Sequence, residues 1–171
     1  MKRVLILGAG TAGTMTANKL RSLLDASFEI TIVDNDDTHY YQPGWTMVGG
    51  GVFQAPSTAR STASVVPKNV VWIQQSVRDF QPDDNALSLE DGSTVRYEQL
   101  VVAPGLTLDW GGVEGLSENL GRNGVTSNYA YHTASYTWEL VQNLKSGTAL
   151  FTQPPMPIKC AGAPQKALYL S

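Results

Sequence analysis

Val4-Leu5-Ile6-Leu7-Gly8-Ala9-Gly10-Thr11-Ala12-Gly13 decides the reading of this chain. The four leading residues are apolar and uncharged, as an inner strand requires. Three glycines follow at the spacing G-x-G-x-x-G. Thr14 to Leu24 then continues as a helix, with Met15, Leu20, Leu23 and Leu24 on one side and Lys19 and Arg21 on the other. Gly8 permits a tight turn. Gly10 lets backbone approach a pyrophosphate, and Gly13 lets the helix pack close to the strand. The first helical turn, through Thr11 and Ala12, offers unpaired N–H groups and partial positive charge to phosphate oxygens.

A second strand, Glu29 to Val33, ends in Asp34, about 20 residues past the last glycine, where a ribose-binding acid is expected. Strand, glycine turn, helix, strand and acid open a Rossmann-type unit. The fold class expected is therefore α/β, a parallel sheet plus a small antiparallel hairpin. Val70–Ile73 and Leu100–Ala103 read as further strands. Ala86–Leu89 and Thr94–Tyr97 flank Asp91-Gly92, a hairpin signal. The Leu100 strand stops at Pro104-Gly105, where proline ends the ladder and glycine brings backbone close to a neighbour.

With 171 residues, 42% of them hydrophobic and 16% charged, the chain can bury a core. A net charge of −3 argues against nucleic-acid binding, which needs a basic face. A single cysteine, Cys160, excludes an internal disulfide framework and a clustered-cysteine zinc site. His39 and His132 have no carboxylate at ligand spacing, so no metal site is expected. The apolar run after Met1-Lys2-Arg3 is too short for a signal peptide. No run approaches the roughly 18 apolar residues of a membrane span. These features read as a cytoplasmic chain.

Two stretches stay open between readings. His39-Tyr40-Tyr41-Gln42-Pro43-Gly44-Trp45 is either a hydrophobic lid on the core or the wall beside a planar ligand. Cys160 lies between Lys159 and a helix that opens near Pro164. Both would favour a thiolate, yet a buried, inert cysteine has the same local sequence. Between these stretches, Asp109 to Gly124 reads as a connection and His132 to Leu144 as a helix stopped by Gly147. Thr148 to Thr152 is expected to start a new strand, and Pro154, Pro155 and Pro157 an extended loop.

The motifs Leu7–Gly13, Tyr40-Tyr41-Gln42-Pro43-Gly44-Trp45-Thr46, Val101-Val102-Ala103-Pro104-Gly105 and Lys159-Cys160-Ala161-Gly162-Ala163-Pro164-Gln165-Lys166 line up with one family. The chain resembles the sulfide:quinone oxidoreductases, especially the branch with the mitochondrial enzymes, within the FAD-dependent pyridine nucleotide-disulfide oxidoreductases. The resemblance implies FAD, held by Gly8, Gly10, Thr11, Ala12, Gly13, Asp34, Tyr41, Gln42, Pro43, Ala103, Pro104 and Gly105. It makes Cys160 the first of two redox-active cysteines. Sulfide attacks the bridge between them, a persulfide forms, and electrons pass through flavin to a membrane quinone.

The resemblance covers essentially the whole chain but only the N-terminal part of the family's subunit. The chain is therefore expected to be a truncated, catalytically incomplete piece. Residues 1–110 would be the N-terminal part of the FAD-binding domain and 111–147 a connection and helix. Residues 148–171 would be the first strand and helix start of a second, incomplete Rossmann-like domain. Substrates would be sulfide and a quinone. Membrane contact would be peripheral and through the missing C-terminal parts, at the inner face of the cell membrane or in mitochondria, and open surface would favour self-association. Two other readings remain: a flavin-dependent NAD(P)H dehydrogenase, for which hydride transfer needs no thiol, and a non-catalytic remnant or association module.

Overall fold

The computed structural model describes residues 1–171. In chain order the elements are β1 (Lys2–Leu7), α1 (Thr11–Leu23), β2 (Phe28–Val33), β3 (Thr38–Tyr40), α2 (Trp45–Gly49), β4 (Ala59–Ser61), α3 (Thr62–Val65), β5 (Val71–Ile73), β6 (Val77–Gln81), β7 (Ala86–Leu89), β8 (Thr94–Arg96), β9 (Gln99–Val102), α4 (Leu116–Asn119), α5 (Tyr131–Asn143) and α6 (Ala163–Leu170). The chain divides into two compact units, Met1–His39 with Arg60–Gly105, and Tyr40–Ala59 with Leu106–Ser171. It passes from the first to the second along β3 and returns along β4.

The first unit is built on a four-stranded sheet in the order β5-β2-β1-β9. All three pairings are parallel, running from Lys2↔Phe28 to Leu7↔Val33 between β1 and β2. The central strands are buried on both faces, which explains their continuous apolar runs. Ile6, Ile30 and Ile32 point to one side and pack with Ala9 and Ala17 beneath α1. Leu5 and Val33 point to the other and meet Leu87, Leu89 and Val95 of the antiparallel sheet β6-β7-β8. Each such aliphatic side chain, fully removed from water, contributes about 1.5–3 kcal/mol. The hairpin turns where Asp91-Gly92 predicts it, with Gly92 at φ +85°.

The second unit gathers α2, α5 and α6. Its core is Trp45, Val48 and Ala134, flanked by Tyr40, Ala55 and Tyr131. Three successive glycines let neighbours close on α2. A Cβ at Gly49 would strike Asn128, at Gly50 Leu170 of α6, and at Gly51 the Trp138 ring of α5. The start of α5 is fixed by Thr133, fully buried, whose hydroxyl donates to the carbonyls of Ser127 and Ala130.

No strand forms over 148–152, contrary to the sequence expectation, and residues 144–162 contain neither helix nor strand. The apolar pair Leu150-Phe151 imitates a strand, but no neighbouring strand pairs with it and Leu150 stays 83% exposed. Pro164 does sit in the first turn of α6, as read. Gly147 takes a left-handed φ of +104°, beyond the end of α5 at Asn143 rather than at its cap. No helix is long and apolar enough to cross a membrane.

Candidate functional site

In the first unit the glycine turn is wedged between two strand ends. Gly8 N–H donates to Val33 O at 2.8 Å, and Ala103 N–H donates to Leu7 O at 2.8 Å. Gly8 has φ +103°, and a Cβ there would collide with the Ala103 carbonyl. A Cβ on Gly13 would overlap the Gly8 carbonyl oxygen, so α1 approaches β1 as closely as backbone permits. Gly10 differs: its Cβ direction is empty for 4 Å and the residue is exposed.

The N-terminus of α1 opens on that free side. Its first turn carries no acidic residue, and no side chain caps it. The first intrahelical bond from its amides is Thr14 N–H to Gly10 O at 3.0 Å, which leaves the N–H groups of Thr11, Ala12 and Gly13 without helical acceptors. Asp34 follows β2 directly. Its Oδ2 accepts from Ala9 N–H at 2.5 Å and its Oδ1 from Asp36 N–H at 2.8 Å. His39 Nδ1 lies 3.0 Å from Ala9 O. Ala103, Pro104 and Gly105 leave β9 beside the turn. Gly105 is exposed at φ +77° with nothing near its Cβ position. The structure thus brings Gly8, Gly10, Thr11, Ala12, Gly13, Asp34 and Ala103–Gly105 together. Donors on a positive helix end, a side-chain-free floor and a carboxylate at the rim fit a pyrophosphate joined to a ribose.

In the second unit the aromatic stretch divides. Tyr40 and Trp45 turn inward. Tyr40 lies 4.8 Å from the Tyr131 ring and 5.9 Å from Trp45, and Trp45 is 6% exposed. Tyr41 is exposed just before the single 3-10 turn Gln42–Gly44 that leads into α2, and Gln42 and Pro43 are exposed on it. The lid reading therefore describes Tyr40 and Trp45, and a surface available to a ligand exists only at Tyr41–Pro43.

Cys160 is exposed, which removes the reading of a buried, inert cysteine. Its carbonyl accepts from the Tyr129 hydroxyl at 2.8 Å and from Ala163 N–H, at the start of α6, at 3.2 Å. Burial, and then the charge of the Cys160 thiolate, raise the Tyr129 phenol above its ordinary pKa. Lys159, the residue before Cys160, has a partner that the sequence does not announce. Its ammonium sits over the Trp45 ring, 5.0 Å from the centroid, and burial lowers its pKa. An indole face attracts a cation, and a half-buried side chain takes that partner over open water. The links Tyr129–Cys160 and Trp45–Lys159 were missed from sequence. They join residues far apart in the chain, and no local pattern marks them.

Residues 2–143 match the family model described as pyridine nucleotide-disulphide oxidoreductase. The chain belongs to that family. Its Rossmann-type, flavin-binding fold is that of the pyridine nucleotide-disulphide oxidoreductases. It is 43% identical over 169 residues to a Dictyostelium discoideum protein named sulfide:quinone oxidoreductase, mitochondrial, covering 98% of this chain and 37% of that one. A Mus musculus protein of the same name is 41% identical over 168 residues, with the same shares of the two chains. The crystal structure of the sulfide:quinone oxidoreductase from Aquifex aeolicus superposes with a TM-score of 0.70 at 28% identity, covering 84% of this chain and 32% of that one. The chain thus spans about 37% of the length of the two curated relatives.

Proposed function

We propose that this chain forms the FAD-binding and first-cysteine portion of a sulfide:quinone oxidoreductase. The observation that carries the reading is Cys160. It is a surface thiol, absent from the core, at the foot of α6, in a chain whose relatives are named for sulfide and quinone. Hydride transfer from a nicotinamide would need no such thiol, which disfavours an NAD(P)H dehydrogenase.

In this reading the N–H groups of Thr11, Ala12 and Gly13 hold the pyrophosphate of FAD. Gly10 gives it room, and Asp34 takes the adenosine ribose. Ala103, Pro104 and Gly105, beside the same turn, border the flavin. Bound there, FAD supplies two-electron acceptance and delivery to a quinone. Cys160 is bridged to a second cysteine that lies outside this sequence, because the chain has one cysteine. Hydrosulfide attacks one sulfur of the bridge. One S–S bond forms as the other breaks; one cysteine keeps the added sulfur as a persulfide, and the other leaves as a thiolate with the electron pair. A nucleophilic sulfur acceptor then removes the outer sulfur.

The relatives named mitochondrial support a mitochondrial location, with peripheral contact to the quinone's membrane. Exposed Leu150, Met156, Leu168 and Tyr169 support self-association of the 171-residue chain. The test is Cys160→Ser in the full-length, flavin-loaded protein. Sulfide should no longer reduce the flavin, while dithionite still bleaches it. Undiminished sulfide-driven quinone reduction by the serine variant would end this reading.

A further inference from the structure

We propose that Tyr129 is a positioning residue for Cys160, gripping the cysteine's carbonyl so that the thiol leaves its loop in one direction. The proposal rests on the reading of Cys160 as the sulfur-carrying thiol.

Between α5 and α6 the backbone has almost nothing to hold it. Its backbone hydrogen bonds fall at the two ends, Leu144 N–H to Leu140 O and Ala163 N–H to Cys160 O. A segment with few internal bonds is ordered by what grips it from outside. Two side chains of the second unit are in place to do so. Trp45 faces the Lys159 ammonium, and the Tyr129 hydroxyl donates to Cys160 O at 2.8 Å.

Tyr129 is itself on a firm base. Its N–H donates to Ser127 Oγ at 3.1 Å, and the next residue, Ala130, is buried with its carbonyl taken by the buried Thr133 hydroxyl. The phenol therefore reaches from a hydrogen-bonded turn to a loop with few backbone bonds of its own. The Cys160 carbonyl takes this donor together with the α6 amide, so the cysteine and the helix entry are fixed as one piece. An ordinary phenol is protonated at neutral pH, and burial, then the charge of Cys160, raises the pKa of Tyr129 further. The donor is thus present at neutral pH.

Tyr129→Phe in the complete chain tests the idea. One neutral hydrogen bond shifts a local opening equilibrium by about 2- to 12-fold. Amide exchange at Ala163 should speed up by that factor, and alkylation of Cys160 by iodoacetamide should change by a similar one. Unchanged values for both would overturn the proposal. A second variant guards against a folding defect: trifluorotyrosine at position 129 keeps the ring but ionises at lower pH. The alkylation rate should then acquire an inflection at the pH where absorbance shows that phenol ionising, and a profile without it would also overturn the proposal. These labelling results are independent of the Cys160→Ser test, so failure of the redox reading is seen separately.

Discussion

Gly13 is packed against Gly8 so tightly that the smallest side chain at Gly13 would overlap the Gly8 carbonyl oxygen. Gly13→Ala must therefore push α1 off β1. Overpacking of this kind costs about 1–3 kcal/mol. Thermal unfolding followed by circular dichroism should show a clear loss of melting temperature. A variant melting with the parent would contradict the packing.

Gly10→Val has the opposite signature. Nothing lies within 4 Å of the Cβ position, so the fold should persist and the melting temperature hold. The branched side chain would occupy the proposed pyrophosphate position. Titration with ADP or FAD should give no binding, and parental affinity would refute the assignment of the cradle.

Asp34→Asn separates charge from shape. The amide oxygen can still accept from Ala9 N–H or Asp36 N–H, the two bonds the carboxylate now makes. Hydrogen bonds to a charged acceptor are worth more than neutral ones. ADP affinity should fall by about 10-fold, while adenine alone, lacking the ribose, should show no difference between the two proteins. Equal ADP affinities would remove Asp34 from the ribose site.

The parts legible in the sequence are those decided within a few residues. Val4–Gly13 carries its strand, turn and helix in one continuous pattern. Asp91-Gly92 imposes its hairpin whatever surrounds it. Asp34 is found by counting from the glycines. The misread parts depend on partners remote in sequence. Leu150-Phe151 has a strand's composition but no strand beside it. The contact of Lys159 with Trp45 joins residues over a hundred positions apart, which no local pattern marks. The gathering of residues 40–59 with 106–171 in one unit follows from packing on α2, which local periodicity does not encode.

Acid stability should depend on Glu29. Its hydrogen bond from Arg3, and less strongly one from the Thr31 hydroxyl, outweigh burial and hold its pKa below the ordinary 4.5. A carboxylate with a depressed folded-state pKa stabilises fully above its unfolded value and loses that contribution as pH falls through the lower folded one. Urea unfolding from about pH 7 to about pH 3 should therefore show a shallower acid loss in Glu29→Gln than in the parent. Asp25 and Asp91 are also lowered, through bonds from Ser27 and Ser93. Identical slopes would mean that the Arg3–Glu29 pair does not persist in solution.

Gly49, Gly50 and Gly51 have a consequence for mutational studies of this chain. Each replaces a collision with a contact, and the one at Gly50 seats Leu170, on the helix that Cys160 precedes. The sulfur's location is thus partly dictated by atoms that are absent more than a hundred positions upstream. A side chain introduced there would act as a lever, tilting α6 and carrying Cys160 away while leaving every reactive group intact. In a screen for lost activity, such variants would pass for catalytic lesions, although their defect would be geometric. Cysteine labelling rates, compared with those of a denatured control, would tell the two kinds apart.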